Sequence, residues 1–218
     1  MTQIIACEML KDELELAMEV TGISYPVIWM EKGLHEFPQK LRNALQQQLD
    51  GLPQDCGTVL LAMALCGGAL DGLTSARATL IAPRFDDCIR MLLSHEPGSW
   101  NTAEASSFYF TGQWLSSDGY ILREHAAYYQ RYGEKKAKKI IRMMLANYKG
   151  YRMVDTGAYD LSLYEEQAKA DAQQLELAYD VVPGTIRVLE KLLRQDVDDE
   201  FCVAGPGEKL TQRMFLHL

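Results

Sequence analysis

Three cysteines occur at positions where a parallel β-sheet would bring their thiols to one edge. Cys7 ends an apolar segment near the start of the chain, and Cys66 ends the most apolar segment. Cys88 lies in the first turn of a predicted helix, which would stabilise a thiolate, although Asp86 and Asp87 oppose this by charge. Because the functional crevice of an open parallel sheet lies at the carboxyl ends of its strands, we predict that the three thiols form a site.

Three thiolates from three different elements leave one coordination position open, which suits two kinds of metal centre. One is a [4Fe-4S] cluster with a free iron, and the other is zinc with a fourth ligand. His35 follows the second predicted strand at the same edge and is the predicted fourth ligand. Gly67 and Gly68 follow Cys66 directly and would let the backbone approach a bound group closely, so both are predicted to contact the cofactor.

Two other interpretations of these cysteines stay open. Free cysteine often packs in a core as a small hydrophobic residue, and a single reactive thiol could serve an enzyme without metal. Cys56 lies in a predicted turn and Cys202 inside a predicted strand, so these two are predicted to be structural. The five cysteines are an odd number and widely spaced, unlike a secreted disulfide framework. We therefore expect reduced thiols and a cytoplasmic protein.

The overall charge narrows the choice of partners. The chain has 218 residues, a formal net charge of −8 and an isoelectric point of about 5.1. This acidic balance argues against general nucleic-acid binding and against an anionic membrane surface. No window approaches the roughly 20 apolar residues of a membrane-spanning helix. The N-terminus also lacks the basic leader of a signal peptide, so we expect neither nucleic acid nor membrane as a partner.

The hydrophobic pattern alternates between strands and helices. Short apolar segments predict strands at 4–7, 25–30, 58–65, 78–82, 107–110, 151–155 and 200–204. Other segments predict helices at 10–20, 39–49, 161–179 and 185–194, and a helical hairpin insertion near 118–150 divided at Gly133. Such alternation is typical of βαβ units, so we expect a single α/β domain over 1–218, with a mostly parallel sheet flanked by helices.

Two further features of the sequence bear on ligands and partners. Trp114, Tyr128, Tyr129 and Tyr132 could line a pocket for a flat cofactor, although aromatic residues at such spacings more often pack helices. We keep Trp114 as a predicted cofactor contact. The hairpin also carries a basic helix face, which is either a solvated face or a docking surface for an acidic partner. Its cations are Lys135, Lys136, Lys138, Lys139 and Arg142.

A set of short segments is spread over almost the whole chain. The segments are Ile5-Ala6-Cys7, Gly33-Leu34-His35, Ala64-Leu65-Cys66-Gly67, Asp87-Cys88-Ile89, Phe108-Tyr109-Phe110-Thr111-Gly112-Gln113-Trp114 and residues 201–207. Together they resemble an uncharacterised family called domain of unknown function 1638. The resemblance implies that cysteines recur at the positions of Cys7, Cys66 and Cys88. It also implies an origin in anaerobic bacteria or archaea, often beside corrinoid-dependent methyltransferase systems.

The resemblance implies a role in methyl-group metabolism without implying a particular activity. Together with the thiol site, it leads to the hypothesis of a metal- or iron–sulfur-binding protein of anaerobic one-carbon metabolism. A second hypothesis is a non-catalytic partner of a corrinoid protein or methyltransferase. A third is a metal-free enzyme that uses a reactive cysteine.

Overall fold

The computed structural model describes residues 1–100, 103–116 and 121–216, with the backbone alone described at 35, 36, 121–125 and 127. The strands are β1 (Thr2–Cys7), β2 (Val27–Met30), β3 (Thr58–Ala62), β4 (Thr79–Pro83), β5 (Ser107–Phe110), β6 (Gly150–Asp155), β7 (Ala178–Pro183) and β8 (Phe201–Ala204). The helices are α1 (Lys11–Thr21), α2 (Pro38–Asp50), α3 (Cys88–Leu92), α4 (Gly112–Leu115), α5 (Ile121–Tyr132), α6 (Glu134–Met144), α7 (Ser162–Leu175) and α8 (Arg187–Arg194).

The first sheet has the strand order β2-β1-β3-β4-β8. β8 pairs antiparallel with β4, and the other neighbouring strands pair in parallel. β3 lies at the centre because its residues 59–62 are apolar and fully buried on both faces. β2 lies at the edge, as Pro26 just before it predicts, since proline cannot donate a ladder hydrogen bond. The predicted α/β fold with a mostly parallel sheet flanked by helices is confirmed.

Helices cover both faces of the first sheet, because successive strand side chains point to opposite faces. α1 and α8 pack on the face that carries Ile4 and Leu60. α2 packs on the other face through Leu41, Leu45 and Leu49, which follow one another at intervals of about one helical turn. Two apolar cores therefore hold the sheet, and its carboxyl edge is left for the loops that carry the thiols.

A second sheet, with the parallel order β5-β6-β7, is an addition to the predicted fold. The predicted helix 161–179 was too long, because α7 ends at Leu175 and Glu176 adopts a left-handed conformation with φ of 59°. The chain then enters β7, which the sequence analysis did not predict. The alternation of Tyr179 and Val181 with polar or exposed neighbours is the strand signal that the predicted helix concealed.

The predicted helical hairpin is present as α5 and α6, which pack against each other and are divided at Gly133. Its residues 117–120 lie outside the described part of the chain. The hairpin belongs to the crossover that joins β5 to its parallel neighbour β6, so it is part of the second sheet's own βαβ connection. Among the described residues, no helix combines the length and the apolar character needed to cross a bilayer.

A buried carboxyl group joins the two sheets. Glu13 lies in the first turn of α1 and is fully buried. Thr156 directly follows β6, and its hydroxyl group donates a hydrogen bond of 3.1 Å to Glu13 Oε1. Oε2 has no hydrogen-bond partner among the described residues. Burial raises the pKa of Glu13 from 4.5 to about 7, so the folded protein holds this proton well above the pH at which the unfolded chain releases it.

We expect Glu13→Gln to remove part of the pH dependence of stability. Between the two pKa values of Glu13, the folded state binds more protons than the unfolded state. The free energy of unfolding therefore falls as pH rises through this window, and the contribution of the Glu13 proton is lost above the folded pKa. Glutamine has no proton to lose. Urea unfolding at about pH 8 should therefore show Glu13→Gln to be more stable than the wild type by up to about 3 kcal/mol, with little difference near about pH 4.

The matched control for this experiment is Glu15→Gln, two residues along α1, where the carboxylate is exposed and pairs with Lys11 at 3.9 Å. It should leave the pH profile unchanged within a few tenths of a kcal/mol. An unchanged profile in Glu13→Gln would show that Glu13 ionises without cost in the folded protein.

Candidate functional site

The turn after β3 carries Cys66 to the site. The predicted strand 58–65 was too long: β3 ends at Ala62, and Cys66 lies in a turn beyond it rather than at the last strand position. Two backbone hydrogen bonds tie this turn to the loop after β4. Leu65 N donates to Phe85 O at 3.0 Å, and Cys66 N donates to Asp86 O at 2.9 Å. The paired loops thus continue the contact between β3 and β4 beyond the sheet.

The backbone of this turn is left-handed at three successive residues, with φ of 45° at Cys66, 65° at Gly67 and 92° at Gly68. This region is costly for a residue with a side chain, so Cys66 is held in a strained conformation. Glycine is needed at Gly67 for a second reason, because a Cβ there would lie 3.0 Å from Cγ of Pro38 at the start of α2. The turn therefore fixes where the Cys66 thiol points.

Cys66 and Cys88 form a close pair of thiols, with their Sγ atoms 3.7 Å apart. Cys88 is the first residue of α3, as predicted, and its Sγ also accepts a hydrogen bond of 3.5 Å from Ala64 N. The Asp87 side chain caps α3 by accepting from Arg90 N at 2.8 Å. Elements after β3 and β4 thus converge on one pair of sulfur atoms.

The net effect of the surroundings on Cys88 disfavours its thiolate, although the residue begins a helix and Asp87 opposes ionisation as expected. The hydrogen bond with Cys66 and the burial of the sulfur raise the pKa of Cys88 well above its ordinary value, and the charge of Asp87 adds to the rise. α3 has only five residues, so its dipole is small against these effects. Burial also raises the pKa of Cys7 to about 12, with a further contribution from Cys88. Without a ligand, both thiols hold their protons at neutral pH.

Cys7 is the last residue of β1, as predicted, and it lines the same cavity as Cys66 and Cys88. β1, β3 and β4 are adjacent in the sheet, which is the condition for the three thiols to meet at one edge. Among the described residues, however, no three His, Cys, Asp or Glu side chains already surround a common metal position. The side chain of His35, the predicted fourth ligand, lies outside the described part of the structure.

The cavity has a volume of about 500 Å³, which is within the usual range for ligand pockets. Its lining includes the three thiols and the Met9 side chain, which we call the sulfur-lined wall. It also includes four aromatic residues from β5 and from the segments that follow β5 and precede β6, which we call the aromatic wall: Phe108, Tyr109, Trp114 and Tyr148. Trp114 thus lies at the cavity, where the sequence analysis proposed a cofactor contact. Sulfur atoms and flat rings therefore line one cavity.

The two predicted glycine contacts differ. Gly67 lines the cavity, whereas Gly68 is not among the described lining residues and accepts a hydrogen bond of 2.6 Å from Arg42 through its carbonyl. Cys56 and Cys202, which were predicted to be structural, are buried away from the cavity lining. Their thiols donate to backbone carbonyls, Cys56 to Thr58 at 3.5 Å and Cys202 to Met214 at 3.3 Å. These contacts are what packed cysteines make.

Several lining residues were not predicted from the sequence, among them Met9, Arg90, Glu104, Phe108, Tyr109 and Tyr148. Arg90 pairs with Asp87 at 3.3 Å, and Glu104 pairs with Arg152 at 2.8 Å, so charge at the rim is compensated. The available signal was the run of aromatic residues in β5, directly before Trp114. It was missed because nothing local to that run indicates that the second sheet faces the thiols.

The fold and the site define an α/β protein with one mostly parallel sheet, one parallel sheet and a cavity lined by thiols and aromatic rings. The chain belongs to the family described as "Protein of unknown function (DUF1638)", whose family model matches residues 29–193. The match contains Cys66, Cys88 and Trp114 and begins after Cys7. The resemblance found in the sequence is thereby confirmed. No curated protein and no solved structure matches the chain.

The 3.7 Å pair predicts a selective reaction with phenylarsine oxide, because one arsenic atom bridges two thiols only when both are within its reach. We expect the native wild-type protein to take up one arsenical per chain, as measured by intact-protein mass spectrometry. Cys66→Ser and Cys88→Ser should lose this uptake. Cys56→Ser and Cys202→Ser remove thiols outside the cavity and should retain it, so equal uptake by all four variants would contradict the pairing.

Proposed function

We propose that the protein binds a thiophilic metal ion at the sulfur-lined wall of the cavity, with Cys66 and Cys88 as two ligands of one ion. The 3.7 Å separation of their Sγ atoms carries the proposal. Zinc binds thiolate sulfur at about 2.3 Å, so two sulfur ligands at tetrahedral positions lie about 3.8 Å apart. The pair matches this spacing, which supports two ligands on a single centre.

The same spacing favours a mononuclear site over a [4Fe-4S] cluster. In such a cluster each cysteine binds a different iron, so the sulfur atoms stand farther apart than two ligands of one ion. Zinc is therefore the first choice between the two cofactors that the sequence suggested. A cluster would require Cys66 or Cys88 to turn away from its partner.

Cys7 is the third ligand in this proposal, because it lines the same cavity from the adjacent strand β1. Its side chain must approach the pair when the ion binds. The fourth position belongs either to His35 or to a molecule that enters the cavity. An open position is what distinguishes catalytic from structural zinc sites, so the cavity favours a site that binds or activates a ligand.

The proposal accounts for the thiols better than the two competing hypotheses. The raised pKa values of Cys7 and Cys88 are unfavourable for a metal-free nucleophile, which must be a thiolate. Inert packing does not explain why a strained turn presents Cys66 to a cavity. Thiolate ligands also require reducing conditions, and for this reason we propose a cytoplasmic location and, following the family resemblance, a role in anaerobic methyl metabolism.

Metal analysis after anaerobic purification provides the test. We expect about one zinc per chain in the wild type, with loss of metal in Cys66→Ser and Cys88→Ser because each removes a ligand of the pair. Cys7→Ser should weaken zinc binding by at least about tenfold. Cys202→Ser, which lies outside the cavity, is the control and should retain full zinc content.

Two outcomes would overturn this assignment. One is a wild-type protein that binds no zinc when zinc is added under reducing conditions. The other is iron with inorganic sulfide in stoichiometric amounts, lost in Cys66→Ser, which would establish an iron–sulfur cluster in place of the single ion.

A second candidate function is docking to an acidic protein, and the surface of α6 favours it. The chain is acidic overall, yet α6 has five cations and only Glu134 as an anion. Four of these cations line a shallow groove with Met143, whose side chain is 70% exposed. A charged rim around an exposed apolar side chain suits a partner of opposite charge. The family resemblance suggests a corrinoid protein or methyltransferase as that partner.

Charge reversal tests the docking surface. We expect the double variant Lys135→Glu/Lys139→Glu to bind a purified corrinoid protein at least about tenfold more weakly than the wild type in low-salt titration calorimetry. The double variant Lys11→Glu/Lys169→Glu makes the same charge change on α1 and α7 and should bind normally. Equal loss in both variants would indicate a net-charge effect, and equal binding in all three proteins would exclude α6 as the contact.

A further inference from the structure

The aromatic wall of the cavity is the outer end of a stack of rings that begins in the core. The Phe110 and Tyr151 rings, both fully buried, stack with centroids 4.2 Å apart. Tyr151 then stacks on Phe108 at 5.8 Å, with an angle of only 11° between the ring planes. Phe108 lines the cavity. A row of rings therefore runs from the core of the second sheet and ends at the cavity.

Two more rings stand beside the last member of this stack. Trp114 is at 6.5 Å and 88° to Phe108, and Tyr148 is at 6.2 Å and 70°. Both also line the cavity. Trp114 and Tyr148 thus meet Phe108 in edge-to-face geometry at the cavity, and we call these three rings the slot. Because Phe108 is packed on Tyr151, its ring is held in place before any ligand arrives, which lowers the entropic cost of binding.

The charges around the slot indicate an uncharged occupant. Asp87 and Arg90 pair with each other, and Glu104 pairs with Arg152. An anionic ring would lie near carboxylates and thiols, which offer it no free positive charge. A cationic ring would have to displace Arg90 or Arg152 from the carboxylates with which they already pair. Aromatic rings in proteins prefer offset-stacked or edge-to-face neighbours, and a flat ligand in this slot would make both kinds of contact.

We propose that the cavity binds an uncharged, planar, conjugated ring system that continues the stack on Phe108, between Trp114 and Tyr148, with one edge toward Cys66 and Cys88. This inference goes beyond the metal site, because it names a ligand for the aromatic residues of the cavity. It rests on the ring geometry and does not need the ion. A cavity of about 500 Å³ accommodates two or three fused rings beside the thiols.

Binding of three uncharged planar probes tests the proposal: indole, acridone and lumiflavin, which have two or three fused rings. We expect at least one to bind the wild-type protein, seen as quenching of acridone or lumiflavin fluorescence or as a calorimetric signal for indole. Phe108→Leu keeps an apolar side chain but removes the flat face and should weaken binding by at least about tenfold, since one stacking contact contributes that much. Phe108→Tyr keeps the face and should bind like the wild type.

Tyr132→Leu, which removes a ring from α5 that stacks on Tyr128 outside the cavity, is the matched control and should leave binding unchanged. Trp114→Leu, which removes another ring of the slot and leaves Phe108, provides a second test if Phe108→Leu does not fold. The proposal is overturned if none of the three probes binds the wild type, or if binding survives both Phe108→Leu and Trp114→Leu.

Two of these variants test the metal site and the ring site independently of each other. Cys66→Ser should lose zinc and still bind the planar probe, because the stack is intact. Phe108→Leu should lose the probe and still bind zinc, because the thiol pair is intact.

Discussion

The candidate site depends on a pair of backbone hydrogen bonds that lie outside the sheet. Leu65 N to Phe85 O and Cys66 N to Asp86 O hold the turn after β3 against the loop after β4. They help to hold the left-handed backbone at Cys66 in place and, with it, the distance between the Cys66 and Cys88 sulfur atoms. β3 contributes indirectly, because its complete burial makes it the central strand and so places this turn beside the neighbouring loop.

Polar contacts between the layers of the two sheets help to position the aromatic wall of the cavity. Gln113, in the short helix after β5, donates to Asp12 of α1 and accepts from Lys32, which follows β2. Thr156 donates to the buried Glu13. These bonds connect the first turn of α1 to two loops of the second sheet. Their partners are specific and directional, so they constrain how α4, which carries Trp114, lies against the first sheet's layer, whereas apolar packing alone would tolerate sliding.

The sequence predicted the parts of the fold that follow from local pattern. The burial of β3, the edge position of β2 and the place of Cys7 at the end of β1 follow from apolar runs, Pro26 and segment order. β7 was missed because it follows α7 without a glycine or proline to mark the helix end, Glu176 itself taking the left-handed position. The sequence predicted that Cys66 and Cys88 lie at the same edge of the sheet, but not that their thiols are in contact. That distance depends on two loops that pair with each other although they are 20 residues apart in the chain. The aromatic wall could not be predicted, because it depends on how one sheet faces another.

The protonation of the thiols connects the two halves of the cavity. Cys7 and Cys88 have raised pKa values, so in the absence of a ligand this wall is uncharged and only weakly polar. A thiophilic dication that replaced the protons of three thiols would change the charge of this wall from zero to −1, while the charges of Asp87, Arg90, Glu104 and Arg152 remain paired with one another. A net negative site disfavours an anionic ligand and is compatible with an uncharged, polarisable ring.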